Sequence, residues 1–145
     1  MIKLQNKYLK NVADFLQNTV SAKGKKNVHR MRIVKALTDK NKEVGDEELA
    51  LLKEYAKTDS EGELVVNEAG GFDFKDRKTR KEFNEQQKDL YDEDFVIDDK
   101  NLESALKTVE KLVNDYDKEL SGKHAEAHFI LVEAFDENNT EEDAE

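Results

Sequence analysis

Residues 102–120, LESALKTVEKLVNDYDKEL, form the most regular amphipathic segment of the chain and decide its fold class. Apolar side chains recur there every three or four positions, the spacing that places them on one face of a helix. Gly122 follows at the position of a helix C-cap. We therefore predict a central helix over 102–120, packed against helices that contain Leu9–Leu16 and Phe129–Phe135. Its apolar positions are Leu102, Ala105, Leu106, Val109, Leu112, Val113 and Tyr116.

Four further segments have helical periodicity. One begins after Gly24 and either continues through Gly45 to Lys57 or is divided by a new N-cap at Asp46. The heptad spacing of its apolar residues favours the continuous helix. The apolar stripe of this helix consists of Val28, Met31, Val34 and Leu37. The apolar stripe of the last helix consists of Phe129, Val132 and Phe135. The four predicted helices span about 6–18, 25–57, 76–91 and 124–136.

Two short β features are predicted between the helices. Residues 63–67 and 71–75 alternate apolar and polar side chains around Gly70-Gly71, which is the pattern of a hairpin. The helices on either side of this hairpin are expected to lie antiparallel. The β-branched run Phe95–Ile97 is expected to pair with Ile2–Leu4.

The composition is typical of one helical domain. The 145 residues include no Pro, which would break helix interiors, and 37% of them are hydrophobic. We predict a mainly α fold, α+β at most, with about five helices. Residues 1–136 form one domain with the hairpin inserted near 63–75, and residues 137–145 form a frayed acidic tail. The longest apolar run, Phe129–Val132, is too short to span a bilayer, and the first residues lack the apolar core of a signal peptide, so we expect no membrane association.

Charge is distributed very unevenly along the chain. The first 42 residues carry eleven Lys and Arg and two acids, whereas the remaining 103 carry thirteen Lys and Arg and thirty-two acids. The whole chain has a net charge of −10. Such an asymmetry points to a charged partner or to pairing between copies. We predict a protein partner, or a homo-oligomer in which the head of one copy meets the tail of another.

No cluster of residues carries recognisable catalytic chemistry. The chain has no Cys, which excludes a thiolate nucleophile and a cysteine-based zinc site. His124 and His128 share a helix face, as in zinc proteases, but Glu126 lies on the other side of the helix and no third ligand is identifiable. We therefore predict two surface histidines, no catalytic, cofactor-binding or metal-binding residues, and a protein that is not an enzyme.

Two charged regions suggest other kinds of binding. The basic run over residues 23–42 could hold a phosphate backbone, but it lacks the stacking aromatics and the turn motif of nucleic-acid modules. We expect it to be a solvated face that complements the acidic half. The acidic clusters at 89–99 and 133–145 lack the spacing of an EF-hand. Carboxylates arrayed on helices can also imitate DNA phosphates, so the alternative function is a DNA-mimic inhibitor of a host nucleic-acid-binding or defence protein.

Three segments, in their order along the chain, carry a resemblance to a known family. They are IKLQNKYLKNVADFL (2–16), LLKEYAK (51–57) before the Gly-containing hairpin, and ELSGKHAEAHFILVEAF (119–135). Together they resemble a family of small acidic phage and prophage proteins from low-GC Gram-positive bacteria, whose function is unassigned. The resemblance implies a phage or prophage origin and a location in the host bacterial cytoplasm or the virion. With the missing catalytic chemistry, it favours a non-enzymatic protein that binds another protein, in virion assembly or as an accessory factor during infection.

Overall fold

Over residues 1–144 the chain has a mainly α fold, as predicted, with five helices and one two-stranded antiparallel sheet. The computed structural model describes the backbone of residues 1–144. It describes the exposure of side chains as far as Glu142. No helix within these residues is both long enough and apolar enough to cross a membrane. The elements are β1 (Ile2–Gln5), a 3-10 turn (Asn6–Tyr8), α1 (Leu9–Asn18), α2 (Lys25–Tyr55), α3 (Arg77–Asp92), β2 (Asp94–Ile97), a second 3-10 turn (Lys100–Leu102), α4 (Glu103–Asp115) and α5 (Gly122–Ala144).

The chain folds into two compact units. The first unit comprises Met1–Asn41 and Asp94–Glu145, and the second comprises Lys42–Glu93. Helix α2 begins in the first unit and ends in the second. The second unit is therefore much longer than the hairpin insertion predicted near 63–75, because it includes the later turns of α2 and the whole of α3.

The sheet of the first unit is the pairing predicted from the sequence. β1 and β2 are antiparallel, with Ile2 opposite Ile97 and Leu4 opposite Phe95. Alternate residues of a strand face the same side, and Ile2, Leu4 and Ile97 are buried on that side. The apolar pattern specifies this register, because a shift of one residue would turn these side chains to solvent.

The central helix of the first unit is α5, and not the helix predicted over 102–120. Helix α5 packs against α1, α4 and β1. Its buried residues follow one another at the spacing of a single helix face. Phe129 was expected on that face, but it lies on another, with 62% of its surface exposed. The buried residues of α5 are Ala127, Leu131, Ala134 and Phe135.

Helix α4 ends earlier than predicted. Its last residue is Asp115, and Tyr116 has an extended backbone with φ −68° and ψ 114°. The ring of Tyr116 packs edge-on against Phe15, with the ring centroids 5.7 Å apart. Gly122, predicted to cap this helix, instead begins α5 with a φ of 58°. That left-handed conformation is one that glycine adopts without strain.

The acidic segment 137–145 is helical as far as it is described. Helix α5 continues through Ala144, beyond the predicted end at Asp136. Neither Pro nor Gly follows Gly122 in the sequence, so no residue interrupts the backbone hydrogen bonds of the helix. The last residue of the predicted tail, Glu145, lies outside the described residues.

Helix α2 is continuous over 31 residues, which is the first of the two alternatives drawn from the sequence. Gly45 lies inside the helix, and Asp46 does not begin a new one. Within the first unit the buried stripe differs from the predicted one, because Val28 and Met31 are 46% and 36% exposed. The buried residues of this part of α2 are Arg30, Ile33, Val34 and Leu37.

In the second unit, α2 and α3 run antiparallel, as predicted for the helices flanking the hairpin. The ring of Phe83 lies 6.4 Å from that of Tyr55. About one turn further along α3, the Gln87 side-chain amide donates a hydrogen bond to the Glu48 carboxylate at 3.4 Å. Because Glu48 precedes Tyr55 in α2 while Gln87 follows Phe83 in α3, the two helices have opposite directions.

The predicted hairpin is present as one isolated bridge, Val66–Phe72, and not as two regular strands. Asn67 shapes its turn, since its side-chain oxygen accepts hydrogen bonds from the backbone N–H groups of Ala69 at 3.0 Å and Gly71 at 2.9 Å. Gly70 supplies a positive φ of 82°. Turns of this kind satisfy backbone donors locally, without a longer strand ladder. Two further bridges, Ala56–Phe74 and Thr58–Leu64, join this segment to residues that precede the hairpin.

Candidate protein-binding surfaces

The two histidines of α5 are half-buried around Phe15, whereas the sequence predicts them on the surface. Their rings lie 6.2 Å (His124) and 6.0 Å (His128) from the ring of Phe15. His128 Nε2 donates a hydrogen bond to the Val113 carbonyl at 2.9 Å, so this nitrogen has no lone pair for a metal. His124 Nε2 lies 3.5 Å from the carboxylate of Asp14. Among the side chains that the structure describes, which extend to Glu142, no group of three or more His, Asp or Glu residues is placed to hold a metal ion.

Arg30, in the middle of the basic run over 23–42, is buried and caps α1. Its guanidinium donates hydrogen bonds to the carbonyls of Leu16 at 2.6 Å and Gln17 at 3.2 Å. It also donates to the side-chain oxygen of Asn27 at 2.5 Å. The last carbonyls of a helix lack partners within the helix, and a cation near them interacts favourably with the helix dipole. Arg30 therefore stabilises the fold and is not accessible to a nucleic acid.

The exposed residues of the same run form a different feature, on the side of α2 that faces away from the core. Val28 and Met31 lie there, among exposed Lys and Arg side chains. Ile33 and Leu37, on the opposite side of the helix, are fully buried. That these cations complement the acidic half of the chain, and do not bind a nucleic acid, stays a prediction. We call Lys25, Val28, Met31, Arg32 and Lys35 the basic face.

Carboxylates are arranged differently on α4 and α5. On α4 they are interleaved with lysines, and Lys107 lies 3.8 Å from Glu103. Over residues 133–142 of α5, five exposed carboxylates follow one another with no lysine between them, and all but Glu142 lie on one side of the helix. Lys3 of β1 approaches one of them, Glu141, at 3.7 Å. The acidic face of α5 consists of Glu133, Asp136, Glu137 and Glu141.

Phe129 is the most exposed large apolar side chain among the described residues. It lies at a groove formed by β1, the following 3-10 turn and α5, where Tyr8 and Ile130 are half-buried. The groove has a volume of about 320 Å³, at the lower end of the ~300–1,000 Å³ of small-molecule sites. Exposed aromatic and aliphatic side chains next to each other mark protein contact surfaces. The lining of this Phe129 groove includes Lys3, Leu4, Tyr8, Phe129, Ile130 and Glu133.

A second groove lies within the second unit, between α2 and α3. Its apolar part is formed by Ala50, Leu51 and Leu90, and its rim by four carboxylates. None of these carboxylates forms a salt bridge with any residue that the structure describes. Close to this groove, burial and the Glu48 carboxylate raise the pKa of Tyr91 to about 12. The rim of this acidic groove consists of Glu47, Glu54, Asp89 and Glu93.

The sequence reasoning missed the Arg30 cap, the exposure of Phe129 and the acidic groove. No local sequence pattern indicates the Arg30 cap, because the cap forms only when α2 packs beside the C-terminal end of α1. The buried stripe of α5 has a signal, since Ala127, Leu131 and Ala134 recur at helical spacing. Because two of these residues are small alanines, the alternative stripe of Phe129, Val132 and Phe135 is the more hydrophobic of the two in the sequence.

Comparisons with protein-family models, with curated proteins and with solved structures found no match to this chain.

Proposed function

We propose that this chain is a non-enzymatic, phage-encoded protein that binds another protein, in virion assembly or as an accessory factor during infection. The phage origin, and a place in the host bacterial cytoplasm or the virion, rest on the resemblance carried by residues 2–16, 51–57 and 119–135. The protein-binding role rests on the surface of the first unit.

The observation that carries this role is the exposure of Phe129 beside Tyr8 and Ile130. Burying a Phe side chain against a partner is favourable by about 1.5–3 kcal/mol. Aromatic residues of this kind dominate the binding energy of many interfaces. The carboxylates of Asp94 and Glu133 at the same groove favour a partner that presents an apolar side chain flanked by Lys or Arg.

The test is affinity capture from phage-infected host lysate with the tagged wild type and two variants, Phe129→Ala and Val66→Ala. Phe129 and Val66 are 62% and 61% exposed, so neither substitution disturbs a core. Val66 is the matched control, because it lies in the second unit. With the captured protein purified, we expect Phe129→Ala to weaken binding at least about tenfold and Val66→Ala to leave it unchanged.

The identity of the captured protein distinguishes the two roles. Phage structural proteins would indicate virion assembly, and host proteins would indicate an accessory factor. If Phe129→Ala retains every protein that the wild type captures, the Phe129 groove is not the contact surface and the assignment is wrong.

The alternative function, DNA mimicry, is favoured by the lysine-free acidic face of α5. Here the captured protein would bind nucleic acid, and both competing DNA and high salt would release it. Replacing Asp136 and Glu141, which do not line the Phe129 groove, by Gln would weaken this binding, whereas Phe129→Ala would not. The two variants therefore separate the proposed function from the alternative.

A further inference from the structure

The basic face presents two cations one heptad apart, with apolar side chains between them. Lys25 and Arg32 are exposed, and seven helical residues correspond to about 10.5 Å along the axis. Val28 and Met31 lie between these cations and are 46% and 36% exposed. None of the four side chains forms a hydrogen bond or a salt bridge with a residue that the structure describes.

The acidic groove presents the opposite charges at the same spacing. Glu47 and Glu54 are also seven residues apart on α2, and Ala50 and Leu51 lie between them. The carboxylates of α3 line the other side of the groove, so a helix seated in it would meet negative charge on both flanks.

We propose that the acidic groove of one copy of this chain holds the basic face of a second copy. Lys25 and Arg32 then lie against the carboxylates of the rim, while Val28 and Met31 cover the apolar part of the groove. This contact does not involve the Phe129 groove. Because face and groove are different surfaces, every copy offers both, and association produces dimers or longer oligomers.

Charge complementarity selects this occupant. The chain has a net charge of −10, so most of the surface of a second copy is repelled by a groove rimmed with carboxylates. The basic face is a part of that surface with the required sign. At physiological ionic strength charges are screened over about 8 Å, which weakens the repulsion between distant acidic surfaces more than the attraction between groups in contact.

Two variants test the contact by reversing the charge of one surface each. One carries Lys25→Glu and Arg32→Glu, and the other carries Glu47→Lys and Glu54→Lys. Sedimentation equilibrium is measured for the wild type, for each variant and for their equimolar mixture. We expect the wild type to associate, and to do so less at about 500 mM than at about 50 mM salt. Each variant alone should associate at least about tenfold more weakly, because like charges then face each other.

The mixture should regain association, since the reversed face of the first variant fits the reversed groove of the second. The unaltered face and groove form the wild-type contact at the same time. Circular dichroism confirms that the variants are folded, and Val28→Asp should weaken association of the wild type through the apolar part of the contact.

Two outcomes would overturn the inference. One is a wild type that stays at the monomer mass of 16.7 kDa at all concentrations. The other is a mixture that stays monomeric although the wild type associates. Neither outcome bears on the capture experiment with Phe129→Ala, so the two proposals fail independently.

Discussion

The two units bury apolar residues to very different extents. Among the described residues, twenty apolar residues of the first unit are buried in one cluster, whereas four are buried in the second. The first unit closes its core with residues from β1, β2 and the helices around α5, and Phe15, Leu9 and Leu16 are fully buried. The buried apolar residues of the second unit are Val44, Ala56, Phe83 and Leu90.

The difference follows from the width of the apolar stripe on each helix. In α3 the two buried residues, Phe83 and Leu90, are one heptad apart, with exposed polar residues around them. A stripe this narrow covers little area, and hydrophobic stabilisation is roughly proportional to the area buried. The second unit instead depends on ring contacts and on side-chain hydrogen bonds in its turns. Regions with few buried contacts open at a lower free energy than the core.

The largest expected effect is that of Phe15→Ala in the first unit. Phe15 is fully buried, and the rings of Tyr116, His124 and His128 surround it. We expect the free energy of unfolding to fall by about 3–5 kcal/mol, measured by denaturant titration. Phe15→Leu, which retains much of the side-chain volume, should lower the free energy of unfolding by less than Phe15→Ala does. A loss below about 1 kcal/mol for Phe15→Ala would mean that the first unit is not held by this core.

A smaller and more local effect is expected for Phe83→Ala in the second unit. Phe83 is 6% exposed, and its ring lies 5.5 Å from Phe74 and 6.4 Å from Tyr55. We expect a loss of about 2–3 kcal/mol, because a thin core can collapse around the missing ring. Amide hydrogen exchange should accelerate over 77–92 and stay unchanged over 9–18. Equal acceleration in both segments would show that the two units unfold together and that the second unit does not open on its own.

The smallest effect concerns the pH dependence of α3. Its N-cap is Asp76, whose Oδ1 accepts a hydrogen bond from the Thr79 backbone N–H at 2.8 Å. The hydrogen bonds from Thr79 lower the pKa of Asp76 below its ordinary value. The stabilisation of the folded state by ionised Asp76 is therefore fully present above the pKa of about 3.9 that an Asp has in the unfolded chain. It is lost as the pH falls through the lower pKa that Asp76 has in the folded state.

Hydrogen exchange of α3 at neutral and acid pH checks this dependence. Asp76→Asn should retain the cap but remove the contribution of Asp76 to the pH dependence, since Asn accepts the same hydrogen bond without titrating. Asp76→Ala should accelerate exchange over 77–92 at neutral pH. If Asp76→Asn leaves the acid sensitivity of α3 unchanged, another group is responsible for it.

Local pattern predicted the elements better than their arrangement. The apolar residues of Ile2–Leu4 and Phe95–Ile97 predicted that these two segments pair, but not the register of the pair. The heptad spacing predicted a continuous α2. The predicted end of α4 was wrong, because the helix ends at Asp115 and the ring of Tyr116 packs on Phe15. The hairpin was predicted as two strands, but Asn67 satisfies the backbone of the turn without a ladder.

The sequence by itself determined the helical class, the strand pairing, the continuity of α2 and the separation of charge along the chain. These properties follow from the period of the apolar residues and from composition, which act over one or two turns. The tertiary structure decided which face of each helix is buried, because a face is covered only when a partner is placed against it. It thus made α5 the central helix, placed Phe129 in solvent, buried Arg30 against the end of α1, and set the carboxylates of α2 and α3 around one groove.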